Sequence, residues 1–184
     1  MILTASSGLK TVLQEVALAL TKAGIRAVFT GGSCATLHSG GVYQSEDLDF
    51  ILKVTPTVAQ LDAAMSSIGF QRKSNLYEHS DVRFFVEFPS GPLGIGRDLQ
   101  IKPVRERVGR ASVLMLSATD SCRDRLAHYF FWKDRQALET AVAIALRKRV
   151  GLSRIRAWCV AEGALSEFED FSKELKRRRR ARRR

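Results

Sequence analysis

Apolar residues recur at helical spacing near the start of the chain, then give way to short apolar runs. Leu9, Val12, Leu13, Val16 and Leu20 share one face of a 3.6-residue repeat. Ser6 or Ser7 stands at its start and Gly24 at its stop, which predicts a helix over 8–23. "IRAVF", 25–29, reads as a short strand. Gly31-Gly32-Ser33 breaks it and opens a short helix at 33–39, ended by "SGG" at 39–41. "DLDFILK", 47–53, is a second strand. Thr57 to Ile68 form a helix with Val58, Leu61, Met65 and Ile68 on its apolar face, Pro56 before it and Gly69 after it. "LYEH" and "VRFFVEF" predict a hairpin around "HSD". "PSGPLGIG", 89–96, is a loop, and "LQIKPV" and "SVLML" read as two more strands.

After Ser117 the pattern turns helical. "TDSCRDRLAHYFFWKDRQALETAVAIALRKR" is one helix, or two broken near Lys133-Asp134. "SRIRAWCVAEG" and "ALSEFEDFSKEL" add two more, the last lined by Leu165, Phe168, Phe171 and Leu175. The predicted class is α/β (α+β), a short mixed sheet with packed helices. It divides into an α/β part, 1–116, a helical part, 117–175, and a disordered basic tail, 176–184.

Composition narrows this picture. At 184 residues and 45% hydrophobic content, the chain can bury a core. No apolar run nears the roughly 18 residues that span a bilayer, and "MILTASSGLK" lacks the pattern of a signal peptide. The expectation is a soluble, cytoplasmic protein with no membrane partner. Cys34, Cys122 and Cys159 are odd in number and show no CxxC spacing, so they read as buried thiols rather than disulfide or zinc ligands. The net charge of +11 is uneven. Eight basic residues lie in the last nine positions, and without them the body carries +3. Such a tail attracts nucleic acid or polyphosphate in a salt-sensitive way; a solvated tail with no dedicated partner is the other reading.

The chemistry is concentrated in "FTGGSCATLHSGGVYQSEDLDFIL", 29–52. Residues i and i+2 of a strand share a face, so Asp47 and Asp49 stand side by side while Leu48 and Phe50 face the core. Two carboxylates that close repel, and a hard divalent cation such as Mg²⁺ relieves the repulsion. Gly31 and Gly32 let backbone approach a ligand, and a helix starting at Ser33 offers amides and a positive dipole end to phosphate.

"GGS", thirteen residues, then "DLDF" resembles the signature of the DNA polymerase β-type nucleotidyltransferase superfamily, in particular its small stand-alone prokaryotic members. The resemblance implies that Gly31, Gly32 and Ser33 hold nucleotide phosphates and that Asp47 and Asp49 bind metal. It also implies a third carboxylate from a neighbouring strand. Glu87, within the apolar run "VRFFVEF", is the first choice, and Asp81, at the turn, is the second. The implied activity is two-metal transfer of a nucleoside monophosphate from an NTP, with two Mg²⁺ or alternatively Mn²⁺, to a hydroxyl acceptor. That acceptor is a protein, an RNA such as a tRNA end, or a small molecule such as an aminoglycoside. Some relatives belong to toxin–antitoxin pairs. A non-catalytic nucleotide- or RNA-binding module and a toxin–antitoxin-type interaction protein are the alternative readings.

Arg123 is the further candidate for nucleotide contact, with His128, Lys133 and Arg135 as other polar groups that a continuous helix would aim at a cleft. Against this stands a helix with ion pairs and a packed aromatic stripe. Tyr129 and Trp132 read as core, His38 as a helix C-terminal cap, and Arg154 as a surface charge.

Overall fold

The computed structural model describes residues 2–42 and 44–182. The chain forms two compact units. One comprises Met1–Ser33, Ser45–Pro92 and Pro103–Met115, and the other Cys34–Gln44, Leu93–Lys102 and Leu116–Arg184. The segments 34–44 and 93–102 thus group with the helical residues rather than with the sheet. Among the described residues no helix is long and apolar enough to cross a membrane.

The first unit contains α1 (Leu9–Lys22), β1 (Ala27–Thr30), the first turn of α2 (Gly31–Ser39), β2 (Asp47–Leu52), α3 (Val58–Ser66), β3 (Phe70–Lys73), β4 (Leu76–His79), β5 (Val82–Glu87), β6 (Val104–Val108) and β7 (Ala111–Met115). The strands form one mixed sheet in the order β3-β4-β5-β2-β1-β7-β6. β2 runs antiparallel to β1 and parallel to β5, and β1 runs parallel to β7. One face carries Phe29, Leu48, Phe50, Val86 and Met115, all buried, and α1 supplies Val12, Leu13, Val16 and Leu20 to the core. Each such side chain contributes about 1.5–3 kcal/mol of burial. Phe29 and Phe50, opposite each other in register, have ring centroids 5.3 Å apart. α3 begins on a capping box, with Thr57 and Gln60 bonding each other's backbone N–H groups.

Two strands depart from the sequence expectation. "LQIKPV" does not form a strand; the strand begins at Val104 and runs through exposed Arg105, Glu106 and Arg107. β3 has only Phe70 buried among four residues. Both are edge strands, where charged side chains face water and block further pairing. Edge strands need no apolar alternation, which is why the pattern hides them.

The second unit contains the rest of α2, then α4 (Ala118–Trp132), α5 (Arg135–Arg147), α6 (Leu152–Ala161) and α7 (Leu165–Ala181). The long helical run is broken at Lys133, whose φ of 54° ends α4, and Asp134 caps α5 by accepting from Gln136 and Ala137 N–H. The basic stretch also departs from expectation. α7 continues from its buried Phe171 and Leu175 through Ala181, so Lys176–Ala181 is helical rather than disordered. Glu174 supports it by bonding Arg177 and Arg178 one turn on. Arg183 and Arg184, the end of the expected tail, lie outside the described residues.

Candidate active site

β1 delivers the chain directly into α2 at Gly31, whose φ is +68°. A side chain is disfavoured there for two separate reasons. The backbone is left-handed, and an added Cβ would lie 2.8 Å from Asp49 Cγ, with Asp49 Oδ2 nearer still. The antiparallel register places Asp49 opposite Thr30, the residue before Gly31, and the Thr30 hydroxyl donates to the Asp49 carbonyl at 3.4 Å. The glycine motif and the second aspartate are therefore one piece of geometry.

Asp47 is tied to the same piece from the other end. The buried Ser33 hydroxyl donates to the Asp47 carbonyl at 2.5 Å and the Ser45 carbonyl at 3.3 Å. Its hydrogen bonds thus pin the start of α2 to the entry of β2, a structural role the sequence did not assign to it. The Ser45 hydroxyl bonds the Asp47 carboxylate. Sequence reasoning passed over Ser45, although its place two residues before Asp47 in "SEDLD" is the signal that could have found it.

Glu87 completes the face. β5 pairs with β2 so that Asp47 lies opposite Phe85 and Asp49 opposite Glu87. Paired residues on neighbouring strands point the same way. Asp47, Asp49 and Glu87 therefore stand on the half-buried face opposite Leu48, Phe50 and Val86. Asp81 occupies an exposed position between β4 and β5, its N–H bonded to His79 Nδ1 at 3.0 Å.

Among the described residues, no three His, Cys, Asp or Glu side chains gather closely enough to form a ready metal site. The Asp47 carboxylate is held by Ser45 and the Asp49 carboxylate lies against Gly31. By donor chemistry and register the three acids still fit a hard divalent cation, which takes carboxylate oxygens and completes its shell with water and phosphate.

In the second unit, Arg123 is 1% exposed and both of its Nη groups are engaged in an ion cluster. Nη1 donates to Asp120 at 2.8 Å and Nη2 to Asp98 at 2.5 Å, and the group lies 5.1 Å from the Trp158 ring centre. Arg154 reaches Asp120 at 3.0 Å, so it belongs to this cluster and is not a mere surface charge. The Arg123 bond holds the Asp98 carboxyl below the ordinary carboxylate range. His128 is half-buried, its ring 5.0 Å from Trp132, and burial lowers its pKa. Lys133 pairs with Glu167 at 2.9 Å, and Arg135 is exposed. His38 is buried and bonds the Leu116 carbonyl through Nε2 at 2.9 Å, linking α2 to the segment before α4. Trp132 is exposed, in contrast to the core position expected of it; with Phe131 it stands on the outward side of the last turn of α4, whose Tyr129 and Phe130 are buried.

No protein-family model and no curated protein matches the sequence. Solved structures do match the fold. An antigenic nucleotidyltransferase-like protein from Paracoccidioides brasiliensis aligns over 94% of this chain and 94% of its own, with a TM-score of 0.65 and 20% identity. The fold is nucleotidyltransferase-like. The solution structure of the antibiotic-resistance factor ANT(2'')-Ia aligns over 94% of this chain and 93% of its own, with a TM-score of 0.51 and 13% identity. ANT(2'')-Ia in complex with adenylyl-2''-tobramycin gives 0.52 and 13%, over 90% and 97% of the two chains.

Proposed function

We propose that this chain is a metal-dependent nucleotidyltransferase of the polymerase β type. The observation that carries the reading is the position of Asp49. It lies against Gly31 at the start of a helix on one side and in register with Glu87 on the other. That arrangement joins a phosphate-accepting backbone to a row of carboxylates. The first-turn amides of α2, Gly31 to Ser33, take the nucleotide's phosphate oxygens, aided by the helix dipole. Asp47, Asp49 and Glu87 would hold the cations, and a carboxylate oxygen of Glu87 accepts the proton of the acceptor hydroxyl as its oxygen bonds the α-phosphorus and pyrophosphate leaves. Mg²⁺, or Mn²⁺ in its place, supplies charge neutralisation of the triphosphate and acidification of the hydroxyl. Arg123 is left out of this site because both of its Nη groups are bonded to buried or half-buried aspartates.

The acceptor hydroxyl belongs to a protein, an RNA or a small molecule. The complex of ANT(2'')-Ia with adenylyl-2''-tobramycin makes aminoglycosides the first small molecules to include. The test is transfer of label from each α-labelled NTP, with Mg²⁺, into protein, RNA and small-molecule fractions of a cell extract. Asp47→Asn/Asp49→Asn is the control. Label in one fraction that vanishes in the control supports transfer and names the acceptor class.

A second reading, a non-catalytic nucleotide-binding module, draws on the absence of a gathered acid cluster among the described residues. Nucleotide binding without label transfer would favour it, and no nucleotide binding at all would exclude both.

A further inference from the structure

The strongest unassigned feature is a cationic surface built from two elements far apart in sequence. α5 ends at Arg147 and is followed by Lys148 and Arg149, all three exposed. α7 ends with Arg179, Arg180 and Arg182, also exposed. The two ends meet. Arg179 donates to the Ala145 carbonyl at 3.4 Å and Arg182 to the Leu146 carbonyl at 3.5 Å. These are last-turn carbonyls of α5, which attract cations through the helix dipole. Arg147 lies over α2's C-terminal glycine, its Cζ 2.8 Å from where a Cβ on Gly40 would sit. Six cations of separate origin therefore share one surface. Glu174 is the acid one to two turns away along α7, and it is bonded to Arg177 and Arg178.

We infer that this two-element surface is a docking site for duplex nucleic acid, bound through its phosphate backbone. Charge complementarity requires a polyanion, and the chemistry of the six groups selects which. Five of them are arginines, whose planar forks match phosphate oxygens. The two segments that form the surface, 145–150 and 176–182, contain no aromatic residue, and single-strand binding relies on aromatic platforms for unstacked bases. Contact through phosphate oxygens carries no sequence information, so recognition is independent of sequence. Neither segment exposes a large apolar side chain that could enter a bilayer, in contrast to a membrane-surface helix. The binding is independent of nucleotidyl transfer and stands or falls separately from it.

The test is fluorescence anisotropy of the full chain with labelled 24-base-pair duplexes of random sequence, from 50 to 200 mM salt. With about six phosphates neutralised, affinity should fall on the order of 10³-fold over that range, since log K changes by about −0.9 per phosphate per log unit of salt. Two triple variants separate the elements: Arg147→Gln/Lys148→Gln/Arg149→Gln and Arg179→Gln/Arg180→Gln/Arg182→Gln. Each should weaken binding and reduce the salt slope by about 2–3. Circular dichroism melts establish that each variant is folded, and the matching Arg→Lys triple on α7 should keep the salt slope while losing part of the affinity. Absence of binding at 50 mM salt would overturn the proposal. So would an unchanged affinity in the α5 triple variant, which would reduce the surface to one helix end. Tighter binding to vesicles containing phosphatidylserine than to duplex would equally reject it in favour of a membrane.

Discussion

Asp49 on β2 occupies the space that a side chain at Gly31 would need, and the same aspartate stands in register with Glu87 on β5. One residue thus links the glycine turn, the strand carrying Asp47 and the strand carrying Glu87. Disturbing any member should be felt at the other two.

Gly31→Ala should therefore harm both fold and activity. A left-handed alanine costs about 1–2 kcal/mol, and the Cβ must also displace Asp49. Urea unfolding should show a loss of at least that size. Label transfer should fall on the order of 10²-fold, the scale of a misplaced reacting group. A Gly31→Ala variant with unchanged stability and transfer would contradict the close approach of Asp49.

The choice of third carboxylate can be read from a pair of variants. Glu87→Gln should lower kcat for nucleotidyl transfer on the order of 10²–10⁴-fold, the range of a lost general base. Asp81→Asn, at its exposed turn, should leave transfer within about twofold. The reverse result would move the role to Asp81.

Arg123→Met tests whether that arginine is structural. It would leave Asp120, which is fully buried, with only half-exposed Arg154 as a cation partner. Removing one partner of a buried ion pair costs about 3–5 kcal/mol. The expected signature is a large drop in melting temperature with NTP affinity retained by the folded fraction. A folded, stable variant that had lost NTP binding would instead restore Arg123 to the nucleotide site.

The end of α7 should respond to acid. Hydrogen bonds from Arg177 and Arg178 hold the Glu174 carboxyl down at about 2, from an ordinary value of 4.5. A depressed carboxylate stabilises the folded helix fully above its unfolded pKa, and that contribution is lost as pH falls through the folded value. Helical signal from α7 should therefore be constant down to about pH 4.5 and decline toward pH 2. In Glu174→Gln that decline should be absent. NMR of the α7 amides would follow it, and identical acid titrations for the two proteins would count against the pairing.

Much of the organisation was legible from the chain alone because it rests on short-range physics. The repeats of α1, α3 and α7 and the buried alternation of β2 and β5 are set by local periodicity and capping, while the break at Lys133-Asp134 was one of two readings of the long helical run. The spacing of Gly31, Gly32, Ser33, Asp47 and Asp49 also marked one strand–turn–helix–loop–strand segment. Edge strands β3 and β6 stayed hidden because their partners satisfy the backbone on one side only and their side chains face water.

What the tertiary structure decided is which residues meet. Strand register, set by pairing rather than by sequence spacing, put Glu87 opposite Asp49 and left Asp81 at a turn. Burial turned Arg123 from a candidate ligand contact into the centre of an ion cluster with Asp98, 25 residues away. The stretch that reads as a disordered tail continues α7 as helix through Ala181, and Arg179 and Arg182 bond carbonyls at the end of α5, partners that an isolated segment lacks. The sequence by itself determined the elements and the chemical types at the motif. Long-range pairing determined which of those groups share a face, because hydrogen-bond register and ion pairing act between segments that no local pattern connects.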